Sequence, residues 1–81
     1  MSDQDIMRRV QNLVDEEHTL RSRLQAGEIT AEDEHERLRA MEQTLDQCWD
    51  LLRQRRALRD AGEDPGHARV RPVSEVEGYQ Q

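Results

Sequence analysis

Leu24-Gln25-Ala26-Gly27-Glu28-Ile29-Thr30-Ala31-Glu32-Asp33-Glu34 decides the fold of this chain. Gly27 stands where a left-handed residue commonly closes a helix, and Thr30 is a side-chain cap for a new helix that opens on acidic residues. A connector of about three to five residues between two long periodic segments folds them back antiparallel. Ile29, beside the cap, is placed to plug the closed end of that hairpin. Glu32, Asp33, Glu34 and Glu36 complement the positive end of the second helix dipole and otherwise face solvent.

Working back from the turn, Ile6, Val10, Leu13, Leu20 and Leu24 recur at helical spacing, with Met7 and Val14 widening the stripe. The pattern predicts a helix over about 3–26, with Asp3 and Asp5 in or beside its first turn and Arg21 and Arg23 near its last. Working forward, Leu38, Met41, Leu45, Cys48 and Leu52 alternate steps of three and four, flanked by Trp49 and Leu51, and Leu58 extends an apolar edge. This second helix spans about 31–61, is longer than the first, and ends at Gly62 and Pro65. Its surplus length must project beyond the hairpin or meet something else. In the antiparallel register Leu20 meets Leu38, Leu13 meets Leu45, Val10 meets Cys48 and Ile6 meets Leu52.

The fold class is therefore all-α: a coiled-coil-like two-helix hairpin over residues 1–62, with a turn at 27–30 and an irregular tail over 63–81. Two helices leave their seam open to water on one side, so dimerisation into a four-helix bundle is the simplest closure. In the tail, Val70, Val73, Val76 and Tyr79 recur every three residues, which suits a strap laid along the hairpin or a neighbouring subunit. Ser74 with Glu77 matches a capping box for one helical turn.

The composition narrows the function. In 81 residues, 37% are charged, 33% are hydrophobic and none is Phe. Such a chain is one domain at most and has no room for a Rossmann fold, a barrel or an elaborate catalytic cleft. Twelve basic against eighteen acidic residues give a net charge of −6, which works against binding nucleic acid through the whole body of the protein. All the basic residues are Arg, a bias that reads first as the codon usage of a GC-rich genome. One Cys makes no intramolecular disulfide, the N-terminus has no signal-peptide pattern, and no apolar run approaches the roughly 20 residues of a membrane span, so the expected location is the cytoplasm.

Four features bear on chemistry. Asp15-x-x-His18 and Glu32-x-x-His35 each place a carboxylate and an imidazole on one helix face, the spacing used by carboxylate-bridged metal bundles. In the expected register, however, the two pairs lie roughly 7 to 8 Å apart along the axis, too far for one shared metal. Glu17 interrupts the first seam, with Arg21 or Arg39 as its expected partner. Cys48 lies in the seam and reads as a small apolar filler, and Trp49 beside it as an interface anchor. Arg53, Arg55, Arg56 and Arg59 form the densest basic patch, opposite in sign to an acid-rich first half.

The segments Leu13 to His18, Leu24 to Thr30, Leu45 to Ala57 and Val70 to Ser74 resemble a family of short actinobacterial proteins classed as a domain of unknown function. That resemblance covers nearly the whole chain and implies an α-helical protein, with no activity, ligand or catalytic residue attached. The turn Leu24 to Glu34 is also similar to the G-x-I-T-x-E-E element of short C-terminal helical-hairpin (SHOCT-like) domains, which look like oligomerisation modules.

The expected function is accordingly non-enzymatic, without a cofactor: self-association as a homodimer and contact with a protein partner, anchored by Leu13, Leu45, Trp49 and Leu52. One alternative is a nucleic-acid or ribonucleoprotein-associated regulator using Arg53, Arg55, Arg56 and Arg59. Another is a metal-binding bundle using Asp15, His18, Glu32 and His35.

Overall fold

The computed structural model describes residues 2–74. Two helices, α1 (Asp3–Gln25) and α2 (Ala31–Asp60), pack against each other as an antiparallel hairpin, followed by a short 3-10 turn at Pro65–His67. No strand occurs among the described residues. The molecule is elongated, about 51 by 26 by 15 Å.

Local chemistry sets each helix end. Ser2 caps α1 in a reciprocal box: its hydroxyl accepts from the Asp5 amide at 3.1 Å, and its own amide donates to the Asp5 carboxylate at 3.0 Å. At the other end Gly27 takes φ 74°, the Glu28 amide donates to Arg23 O at 2.9 Å, and the Gly27 amide donates to Leu24 O at 3.0 Å. This is a Schellman closure, which satisfies two carbonyls that a helix end leaves without partners. Helix α2 begins with the Thr30 hydroxyl accepting from the Asp33 amide at 3.1 Å. It closes in the same way as α1, with Gly62 at φ 75° and the Glu63 amide donating to Leu58 O at 2.8 Å. A Cβ at either glycine would meet open space, so only backbone conformation demands glycine there.

The core is small and lies toward the open end of the hairpin. Ile6 and Val10 of α1 pack with Cys48 and Leu51 of α2, and Leu13, Val14, Leu45, Leu52 and Ala68 pack around them. Leu20 is a separate buried residue nearer the turn. One expectation is corrected: Leu51, read as flanking the seam, is buried, whereas Leu52 is only half-buried. The reason is a third layer. The chain after Gly62 turns back along α2 and covers a second face of that helix, on which Gln47, Asp50, Leu51 and Gln54 recur at helical spacing.

This third layer is a strap held by polar groups. Asp64 caps its first turn through the Gly66 amide at 2.8 Å, and Arg55 donates to Pro65 O at 3.2 Å. Gln54 then holds both backbone polar groups of Arg69, donating to its carbonyl at 2.7 Å and accepting from its amide at 3.2 Å. Gln47 donates to Arg71 O at 3.1 Å. Val70 does not carry the docking expected of it, since it is 62% exposed, whereas Val73 is half-buried and Ala68 packs against the core. In an extended segment neighbouring side chains point to opposite sides, and here Arg71 is the one turned onto α2. Val76, Tyr79 and Glu77, the second member of the capping box expected with Ser74, lie outside the described residues.

Candidate interaction face and the buried Asp50 latch

Asp50 is a fully buried acidic side chain on the strap-facing side of α2. A buried carboxylate is tolerable only when charge and hydrogen bonds replace its lost water. Arg71 of the strap supplies both: its Nε donates to Asp50 Oδ2 at 2.9 Å and its Nη2 donates to Oδ1. Gln54 Nε2 adds a third bond to Oδ2 at 2.8 Å, and Arg53 stands 3.9 Å from Oδ1. The two-pronged Arg71 contact is the planar fork that a guanidinium makes with a carboxylate and that Lys does not reproduce.

The same chemistry ties the N-terminus to α2. Arg55 donates to Asp3 Oδ1, and Arg59 lies 3.0 Å from Asp3 Oδ2. The basic patch Arg53, Arg55, Arg56, Arg59 is thus mostly engaged within the chain: Arg53 faces Asp50, while Arg55 and Arg59 clasp Asp3. Arg56 is exposed and takes no ion pair among the described residues.

These contacts have a pH signature. The Arg71 guanidinium holds the Asp50 carboxyl below its ordinary value of 3.8 against the opposing effect of burial, with Gln54 helping. Arg55 and Arg59 lower Asp3 in the same way, and Ser2 lowers Asp5. A carboxyl with a depressed folded-state pKa binds fewer protons in the folded than in the unfolded chain, so its contribution to stability is complete above 3.8 and is lost as pH falls through the folded values. Melting temperatures should therefore drop steeply below about pH 4. Asp50→Asn should start from a lower melting temperature at neutral pH and fall less on acidification; a parallel acid slope in the variant would contradict the Asp50 contribution.

The remaining candidates fall out as follows. Asp15 accepts from Gln11 at 3.1 Å, and His18 lies exposed at a shallow depression with Ser22 and Glu28. Glu32 and His35 are exposed on α2. The Asp15–His18 and Glu32–His35 pairs are not brought together, and among the described residues no group of three or more His, Cys, Asp or Glu could hold a metal ion. Glu17 is half-buried and forms no ion pair among the described residues, so the expected bridge to Arg21 or Arg39 does not form. Cys48 is buried, and burial pushes its thiol up against the opposing effect of Arg9. It borders a cleft of about 150 Å³ together with Ile6, Arg9, Leu51 and Val70.

The four anchor residues separate into two groups. Leu13, Leu45 and Leu52 are half-buried and pack against the core, whereas Trp49 is 42% exposed. Trp49 lies about half a helical turn from the strap-facing side of α2, where it continues the row Leu38, Leu45, Leu52. Met7, on α1, is 45% exposed. The strap thus covers one side of the hairpin and leaves apolar residues uncovered elsewhere.

These features define a class: a two-helix antiparallel hairpin whose C-terminal strap is latched to the second helix by a buried Arg–carboxylate contact. The chain belongs to the family described as "Protein of unknown function (DUF2630)", which matches residues 2–81. It is 51% identical over 78 residues to the uncharacterized proteins Mb0922c of Mycobacterium bovis and Rv0898c of Mycobacterium tuberculosis, an alignment that covers 96% of this chain and 90% of theirs. Those relatives are actinobacterial, as the sequence resemblance implied. No solved structure matches the chain. Among the described residues, no helix is long and apolar enough to cross a membrane.

Proposed function

We propose that this protein is a non-enzymatic helical hairpin that self-associates and offers a surface to a protein partner, with Leu13, Leu45, Trp49 and Leu52 as anchors. The observation that carries this reading is Trp49, the chain's single Trp, 42% exposed beside a leucine row on a well-capped helix. Large aromatics next to an apolar row are the residues around which helix interfaces are built. The half-exposure also sets the size of the expected effect. Within one hairpin Trp49→Ala removes only part of a burial and should cost about 1 kcal/mol, well short of the 3 to 5 kcal/mol of a fully buried aromatic.

The test is to measure solution mass and thermal melting for the parent and for Trp49→Ala. A lower oligomer mass with a small change in the melting of the dilute protein supports the reading. An unchanged mass overturns the anchor role.

A further inference from the structure

The row that contains Trp49 has an internal symmetry. Leu38, Leu45 and Leu52 repeat every seven residues, so a second copy of α2 laid antiparallel about Leu45 puts Leu38 level with the partner's Leu52, and Leu45 level with itself. Met41 and Trp49 then share a layer. The same register brings half-buried Glu34, in the acidic first turn of one α2, level with the partner's exposed Arg56, and both residues lie on the Leu45 side of the helix. Arg56 is the residue of the basic patch that no carboxylate within the chain engages. A parallel arrangement would instead set acidic turn on acidic turn and Arg on Arg.

From this charge complementarity we infer that the occupant of the Leu38–Leu45–Trp49–Leu52 face is a second copy of the chain, docked α2 on α2, antiparallel, with its two-fold axis at Leu45. The inference rests on the self-association proposed above and fixes its geometry. Two such contacts are made per dimer, because a two-fold interface repeats every pair. The strap does not obstruct them, since Gln47, Asp50 and Gln54, which hold it, lie on the opposite side of the helix.

Charge exchange tests the register. Arg56→Glu alone, and Glu34→Arg alone, should each weaken dimerisation about tenfold at low salt, because both symmetric contacts become repulsive. Combining the two substitutions should restore the dimer to within about threefold of the parent. Sedimentation equilibrium over a concentration series reads each constant, and circular dichroism confirms helix content. Restoration in the combined variant is the outcome that a merely weakened α2 cap would not produce. A parent dimer that ignores either exchange, or a combined variant as weak as its components, overturns this register and leaves self-association standing. A parent that is monomeric throughout overturns both.

Discussion

Arg71→Ala is expected to loosen the strap and lower the unfolding free energy by about 2 to 3 kcal/mol, near the lower end of what removing one partner from a buried ion pair costs. The substitution deletes two hydrogen bonds to Asp50 and leaves a fully buried carboxylate with only Gln54 and the more distant Arg53. The cost stays near that lower end because a lifted strap readmits water to Asp50. In a domain of this size the loss corresponds to a melting shift of roughly 10 °C or more. Trypsin cleavage at Arg69 should accelerate, since its backbone is held by Gln54 only while the strap is seated. The double variant Asp50→Ala/Arg71→Ala should be more stable than Arg71→Ala alone, because no charge is stranded. A single variant as stable as the parent, or a double variant at least as damaged as the single, would contradict the latch.

Ile6→Ala should produce a comparable or larger loss, about 3 kcal/mol, by a different route. Ile6 is 1% exposed among Val10, Cys48 and Leu51, and it borders the contact with the strap beside Ala68 and Val70. Removing its side-chain carbons opens a void that helices fixed by caps at both ends close only in part. A chain of 81 residues has a total stability of only about 4 to 12 kcal/mol, so this one change consumes a quarter or more of it. Val70→Ala is the matched control: at 62% exposure it should change stability by no more than about 0.5 kcal/mol. Chemical denaturation of both variants reads the difference. Similar values for the two would mean that the core is not where Ile6 lies.

The hairpin was legible because its signals are local. Gly27 and Thr30 name the two sides of the turn, and both act through backbone geometry within a few residues of themselves. The Val10–Cys48 level followed from counting outward from that turn. The latch was not legible for the opposite reason. Asp50 and Arg71 are 21 residues apart, and in a chain with eighteen acidic and twelve basic residues nothing local distinguishes that pair from many others. A fainter signal was present: Gln47, Asp50 and Gln54 form a polar row at helical spacing beside the seam, and amide side chains are suited to gripping a passing backbone. Periodicity analysis looks for apolar rows and passes over such a pattern.

The misplacement of Leu51 has the same origin. A two-layer hairpin buries one stripe of each helix, but α2 is covered by α1 on one side and by the strap on another, so its buried arc is wider than the apolar stripe. The particular acidic partner of the basic patch was likewise not legible, because Asp3, which engages two of its members, lies 52 residues from Arg55. The exposed Trp49 stands apart from these internally satisfied groups.

Sedimentation equilibrium of the parent protein, from low micromolar to near millimolar concentration at low salt, tests the central claim most directly. Self-association through the α2 face predicts a mass that rises with concentration to a plateau at twice the 9.5 kDa of one chain. A mass that stays at 9.5 kDa across the whole series would contradict it.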